Sequence, residues 1–146
     1  MRKLLRVTAV LEAGTSLAAL LVPRLLVALL FGPASATQLE LFLVRFIGAA
    51  LLSLGMACWW AAEDPESRAA EGIVKAMLLY DVAAAGLLLY AGTSGFTGIV
   101  LWPAIVVHSA MAIWCMAGPP TRKEEALADE TQREALRQES YRLSSR

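Results

Sequence analysis

Four ionisable residues stand inside long apolar segments of this sequence: Glu12, Arg45, Asp81 and His108. An ionised side chain at the centre of a membrane span costs around 2.5–3.5 kcal/mol, so such groups normally face the interior of a helix bundle and pair with one another. Two carboxyls and one imidazole at one level of a bundle are able to exchange protons or to respond to a cation. The sequence therefore predicts an intramembrane polar site made of these four residues.

The neighbours of these residues recur with the spacing of helical faces. Every fourth residue after Arg45 is small, which lets two helices approach closely. In the fourth apolar segment, the face that carries His108 also holds Ala104, Ala112 and Cys115. In the first segment Thr8, Glu12, Thr15 and Ser16 recur at i, i+4, i+7 and i+8, so they form one continuous polar stripe on the helix. Around the four ionisable residues, the sequence thus offers the supporting residues Thr8, Thr15, Ser16 and Ser53.

Three of the four ionisable residues fall at one depth. Glu12, Asp81 and His108 each lie nine residues from the inner end of their apolar segment. With a helix rise of about 1.5 Å per residue, this places them roughly 13–14 Å deep, near the middle of an about 30 Å hydrocarbon slab. Arg45 comes out about 25 Å from the inner surface. Two interpretations stay open: polar contacts that only hold the bundle together, and a functional site.

The composition places the chain in a membrane. Of its 146 residues, 58% are hydrophobic and 18% are charged, and 12 of the 26 charged residues lie in residues 122–146. A soluble chain of this size leaves too much surface in water to hide so many apolar side chains. The composition excludes a water-soluble globular enzyme, a disulfide scaffold and a disordered chain. A net charge of zero gives no electrostatic case for nucleic acid.

The apolar segments predict an all-α, four-span transmembrane bundle. A membrane-crossing helix needs about 20 mostly apolar residues. Residues 24–31 are apolar but too short to cross, and we expect an interfacial segment there. Residues 119–146 form a charged tail, predicted as a soluble helix with a capping box at Thr121–Glu124 and ion pairs such as Asp129–Arg133. The four spans of the predicted bundle, residues 1–118, are 3–22, 39–62, 72–90 and 96–117.

Lysine and arginine near the span ends predict that both termini are cytoplasmic. Basic residues precede the first span, flank the second loop and fill the tail, whereas only Arg24 lies in the first loop. A cleaved signal peptide ending at Ala34–Ala36 is the rival interpretation, but Glu12 interrupts its apolar core. Aromatic residues support the same topology, with Trp59, Trp60 and Trp114 at the inner interface and Tyr90, Phe96 and Trp102 at the outer one.

Several short motifs carry a family resemblance. Pro23 ends the first span, Arg45-Phe-Ile-Gly48 and Gly55 follow in the second, and Leu101-Trp-Pro103 opens the fourth. In this order they resemble the small bacterial four-helix membrane proteins grouped as DoxX-like or as domains of unknown function. The resemblance covers about residues 1–117 and implies a four-helix architecture in the bacterial inner membrane, without a settled activity.

A second, partial likeness concerns the first span. Ala9-Val-Leu-Glu12-Ala-Gly14-Thr15 is similar to the first helix of the small multidrug resistance transporters. That likeness implies that Glu12 would bind protons and cationic solutes in competition. The additional Arg45, Asp81 and His108, together with the charged tail, depart from that family's pattern.

Three functions remain open at the level of the sequence. The first is a non-catalytic membrane protein that serves as an accessory or assembly subunit or binds a small apolar molecule in its bundle. The second is a proton-coupled transporter of small cationic or lipophilic solutes, in which Glu12 and Asp81 carry protons. The third is a membrane oxidoreductase or isomerase acting on a lipid or quinone, with His108 or Asp81 as general acid or base. We expect no cofactor or metal, and the expected partners are the bilayer, a larger membrane complex or a second copy.

Overall fold

The computed structural model describes residues 1–33, 36–117, 129–134 and 136–137, and these residues contain helices and loops but no strand. Three of the helices are long and apolar enough to cross a membrane, and the last one is an apolar helix of 16 residues. Residues 129–134 and 136–137, in the charged tail, are also helical. The named helices are α1 (Arg2–Leu21), α2 (Pro23–Phe31), α3 (Gln38–Ala61), α4 (Arg68–Thr93) and α5 (Leu101–Met116).

Side-chain caps set where α3 and α4 begin. The Thr37 hydroxyl accepts from the Glu40 backbone N–H, and the Glu40 carboxylate accepts from the Thr37 backbone N–H at 2.6 Å, which completes a capping box. The Ser67 hydroxyl accepts from the Ala70 N–H at 3.1 Å. The Ser67 cap makes α4 start four residues before the predicted span at 72. The capping box predicted at Thr121–Glu124 lies outside the described residues.

The fourth apolar helix is shorter than the sequence predicts. We expected a span over residues 96–117, but α5 starts at Leu101 because the preceding residues form a turn against α2. A Cβ on Gly98 would overlap the backbone carbonyl of Leu30, so only glycine permits this approach. Pro103 therefore lies in the first turn of α5, where its missing N–H is not needed.

Further contacts hold α2 against the same turn. The Val100 backbone N–H donates to the Leu29 carbonyl at 2.9 Å. The rings of Phe31 and Phe96 meet edge to face with centroids 5.4 Å apart. The interfacial segment predicted at residues 24–31 is thus a short helix that lies beside the start of α5.

The four long helices pack as two pairs, α1 with α3 and α4 with α5, and contacts between the pairs are few. The pairs meet mainly at one end of the bundle, where the starts of α1 and α4 lie beside the ends of α3 and α5. Consecutive long helices therefore run in alternating directions. The side chains that close this end form the core cluster: Leu4, Leu5, Ala9, Cys58, Ala62, Ala70, Met77, Met111 and Cys115.

Two glycines of α3 bring its backbone against α1. A Cβ on Gly48 would lie 2.8 Å from the Ala19 Cβ, and a Cβ on Gly55 would lie 3.2 Å from the Glu12 Cβ. The Ser16 hydroxyl donates to the Gly48 carbonyl at 2.6 Å. Small residues at such interfaces allow close van der Waals packing, which drives helix association in lipid.

The contact of Gly48 and Gly55 with α1, called the α1–α3 seam below, shows that one prediction from the sequence is wrong. The small-residue stripe that follows Arg45 was expected to face the bundle, but Arg45, Ala49 and Ser53 are exposed. The glycines seven residues apart, which remove all side-chain bulk, define the packed face of α3 instead. Two residues seven positions apart, such as these glycines, lie on nearly the same side of a helix and two turns from each other.

Two ion pairs on helix surfaces and a hydrogen bond from the N-terminal Arg2 are further contacts of the fold. Lys75 and Glu71 form an i, i+4 ion pair at 2.6 Å, and the predicted pair of Arg133 and Asp129 forms at 3.0 Å. The Arg2 guanidinium donates to the Ala62 carbonyl at 3.1 Å, at the end of α3, where the helix dipole favours a cation.

We expect Gly48→Ala to destabilise the bundle by about 1–3 kcal/mol, because the added methyl overlaps α1 backbone and side-chain atoms. The measurement is denaturant-induced unfolding in detergent, followed by circular dichroism. Gly86→Ala is the matched control, since a Cβ on this helical glycine meets nothing within 4 Å. Equal unfolding midpoints for Gly48→Ala and the natural sequence would disprove the close α1–α3 seam.

Candidate functional site

A cavity of about 510 Å³ lies between the two helix pairs. It begins at the level of Glu12 and His108 and extends towards α2, where Leu30 and Phe31 line it. Its polar groups gather at the level of Glu12, whereas the side chains towards α2 are apolar. The residues that line the cavity include Thr8, Leu11, Glu12, Thr15, Ile47, Tyr80, Asp81, Ala84, Leu87, Val107 and His108.

Asp81 and His108 form a direct contact across α4 and α5. The Asp81 Oδ1 and the His108 Nδ1 are 2.8 Å apart, and the Asp81 residue is only 2% exposed. When Asp81 is ionised, its carboxylate accepts this hydrogen bond from an N–H at Nδ1 of the imidazole. The Tyr80 ring meets the His108 ring edge-on at 5.6 Å between centroids. Asp81 and Tyr80 together fix the orientation of the imidazole.

Glu12 reaches the same cavity from the opposite pair. The residue is 5% exposed, and the close approach of Gly55 holds its backbone against α3. The polar stripe of α1 is divided between two environments. Thr8 and Thr15 both line the cavity, Thr8 as a buried residue and Thr15 as an exposed one, whereas Ser16 is buried against α3.

Two carboxylate oxygens in this region have no hydrogen-bond partner among the described residues. They are Oε2 of Glu12 and Oδ2 of Asp81, and both are fully buried. Buried polar atoms are nearly always paired, since an unsatisfied one costs about 1–3 kcal/mol. Two acceptor atoms on side chains that line one cavity are the form of site that a hydrogen-bond donor or a cation completes.

Arg45 does not join the other three predicted site residues. It is exposed on the outer side of α3 and does not line the cavity. Ser53 is exposed as well, and its hydroxyl donates to the Ala49 carbonyl of its own helix at 3.1 Å. Ser53 lies on the side of α3 away from Gly48 and Gly55, at the helical spacing of 100° per residue. The structure therefore brings Glu12, Asp81 and His108 together and leaves Arg45 and Ser53 apart.

The sequence analysis missed some of the residues that shape the site. Tyr80 precedes Asp81 directly, yet nothing in its spacing marks it as the neighbour of a histidine on another helix. Gly55 was noticed only as part of a family resemblance, although its distance of seven residues from Gly48 is a detectable helical signal. The apolar end of the cavity depends on where α2 folds, and local periodicity does not give that position.

The ionisable side chains that line the cavity are mainly acidic. The lining residues include two carboxyl groups and one imidazole but no lysine or arginine. With both carboxyls ionised, the cavity carries a net charge of −1 when His108 is protonated. Among the residues that the structure describes, no group of three or more His, Cys, Asp or Glu residues is arranged to hold a metal ion.

No family model, no curated protein and no solved structure matches this sequence. The function is therefore inferred from the cavity and the side chains that line it.

The Asp81–His108 contact predicts the state of the imidazole. The chain contains one histidine, so the ¹⁵N spectrum of selectively labelled protein reports on His108 alone. We expect the neutral imidazole to carry its proton on Nδ1, and Asp81→Asn to shift that resonance because an amide accepts more weakly than a carboxylate. Glu66→Asn, in an exposed loop, is the control and should leave the spectrum unchanged. A ring protonated only on Nε2 would contradict an ionised Asp81 as the acceptor, since Nδ1 would then be the acceptor of the hydrogen bond.

Proposed function

We propose that this protein binds a small amphipathic molecule inside its transmembrane helix bundle. The observation that carries the proposal is the pair of buried, unpartnered oxygens of Glu12 and Asp81 on side chains that line one cavity. The bound molecule would place a hydrogen-bond-donating group between these carboxyls and its apolar part towards α2. The role is non-catalytic.

The size and lining of the cavity support this proposal. Small-molecule sites have volumes of about 300–1,000 Å³, are lined mainly by apolar side chains and contain a few convergent polar groups. The cavity, at about 510 Å³, falls within this range. Its polar groups converge near Glu12, and its other end is apolar. A molecule with one polar end and an apolar body matches this division.

The polar end of the bound molecule follows from the charge of the site. A hydrogen-bond donor or a cation would pair with the carboxyl groups of Glu12 and Asp81, whereas an anion would be repelled. A primary ammonium group has three N–H donors and a single positive charge. Such a group can donate to Glu12 and Asp81 at once and neutralise the net charge described above. We therefore take a long-chain primary amine as the probe of this site.

We propose that the bundle has four spans and that both termini are cytoplasmic. Three helices have the length and composition for a span, and α5 packs along α4 as the fourth. The end of the bundle that holds the core cluster would then face the cytoplasm, as the basic residues Arg2, Lys3 and Arg6 favour. Trp59 and Trp60 are exposed at this end, as tryptophans of an interfacial belt would be.

We expect a diazirine-bearing dodecylamine to label the purified protein saturably in nanodiscs, with cross-links on cavity residues. Glu12→Gln and Asp81→Asn should each weaken binding about tenfold, because each removes a charged hydrogen-bond acceptor worth about 1.5–3 kcal/mol. Labelling as a function of probe concentration, read by mass spectrometry, measures the effect.

The matched control is Glu66→Gln, which removes the same charge from an exposed loop. It should bind the probe like the natural sequence. Diazirine-bearing dodecanol, which lacks the cation, should bind more weakly than the amine. Equal labelling of Glu12→Gln, Asp81→Asn and the control would refute the proposed site. Native mass spectrometry from mild detergent separates this role from that of an accessory subunit, which would retain a larger complex and no small adduct.

A second candidate function is proton-coupled transport of small cationic solutes. The observation that favours it is the presence of two carboxyls and an imidazole on one cavity, since these groups can exchange a proton for a bound cation. Proteoliposomes with an imposed pH gradient test it. Transport predicts that dodecylamine-class cations accumulate against the gradient and that Glu12→Gln abolishes the accumulation while the protein remains folded. Saturable binding without accumulation would leave the binding function and exclude transport.

A further inference from the structure

The cavity reaches the outside of the bundle between α1 and α5. Leu11 of α1 and Val107 of α5 both line the cavity, yet they are 41% and 43% exposed. A side chain that lines a cavity and also lies on the outer surface marks the rim of an opening. The few contacts between α1 and α5 agree with a gap along this side.

A second opening lies between α3 and α4. Ile47 of α3 and Leu87 of α4 line the cavity and are 54% and 70% exposed. These two helices also have few contacts with each other. Three of the four rim residues of the two openings belong to helices that are able to span a membrane, and all four are apolar. Each opening would therefore face hydrocarbon rather than water.

The two ends of the bundle offer less access. The core cluster fills the end where the helix pairs meet. At the other end α2 lies across the cavity and is tied to the α5 start by the hydrogen bond from Val100 to Leu29. A polar solute arriving from water would have to displace packed side chains or α2. A molecule dissolved in the bilayer meets only the apolar rims.

From these openings we infer that the cavity takes its ligand from the bilayer, through the gaps between the helix pairs, and that the ligand is a membrane-dissolved amphiphile. This inference rests on the binding function proposed above and adds its source and its route. The apolar body would pass between the rim side chains, and the polar end would reach Glu12 and Asp81 at mid-depth. An aqueous solute of the same charge would not enter by this route.

Replacing rim residues by tryptophan, a larger side chain, tests the entry route. The double variant Ile47→Trp with Val107→Trp should narrow both openings. Nanodiscs that hold the protein are mixed with vesicles preloaded with diazirine-bearing dodecylamine, and a light flash after a set delay fixes the bound fraction. We expect the double variant to load at least about tenfold more slowly than the natural sequence, measured as the rate at which it approaches its own final labelling. The matched control is Leu43→Trp with Val106→Trp, two exposed apolar residues of the same helices that do not line the cavity.

Equal loading rates for the Ile47→Trp, Val107→Trp variant and the natural sequence would overturn the proposed entry from the bilayer. Slower loading in Leu30→Trp, at the α2 end, with a natural rate in the rim variant would assign entry to that end instead. Absence of saturable labelling in the natural sequence is a different result, since it removes the binding site itself and the proposed function with it. The three results are distinguishable within one set of measurements.

A cysteine placed inside the cavity gives an independent reading that needs no ligand. Ala84 lines the cavity on α4, and the two native cysteines are buried. In a Cys58→Ser, Cys115→Ser background, Ala84→Cys should react with a membrane-soluble maleimide and not with a membrane-impermeant methanethiosulfonate. Faster reaction with the impermeant reagent would show an aqueous path and overturn the inference.

Discussion

The close approach of α1 and α3 is the contact on which the rest of this structure depends. In lipid there is little hydrophobic drive between helices, so packing and interhelical hydrogen bonds hold them together. Gly48 and Gly55 remove the bulk that would separate the two backbones, and Ser16 adds a buried hydrogen bond to the Gly48 carbonyl. Because Gly55 lies against Glu12, the seam also fixes the height and the rotation of that carboxyl. The position of the acidic group is thus set by a residue without a side chain.

The cavity results from how unevenly the helices pack. Each pair is tight, whereas the pairs touch mainly through the core cluster at one end. Away from that end they separate, and the space between them receives polar side chains from both pairs. The contact between Asp81 and His108 lies within one pair, and Glu12 comes from the other. A change in the spacing of the pairs would therefore alter the distance from Glu12 to Asp81 without breaking the Asp81–His108 hydrogen bond.

Much of this arrangement follows from the sequence, and its failures have physical causes. Apolar length predicted α1 and α3 to within one residue at each end, and helix rise predicted the common level of Asp81 and His108. Orientation about the helix axis was harder: small residues follow Arg45 every fourth position, but a face with two glycines packs more closely than one with alanine and serine. The start of α5 also depended on a contact with α2 that is distant in sequence. Hydrophobic periodicity predicts that a helix is present, but the rotation of each helix about its own axis depends on how it packs against its neighbours.

The polar stripe of α1 has a consequence for the order in which the chain enters the membrane. Of the three long apolar helices, α1 has the lowest mean hydropathy, and it carries Glu12 near its centre. It is synthesised before any of the residues that surround Glu12 in the folded protein. A lone α1 would expose its hydroxyls and its carboxyl to lipid, whereas α3 covers Ser16 and the Glu12 backbone as soon as it follows. With α1 and α3 both crossing the membrane, as proposed above, insertion of the two helices as a hairpin joined through α2 would avoid that exposed intermediate, and the second crossing would hold the first in place.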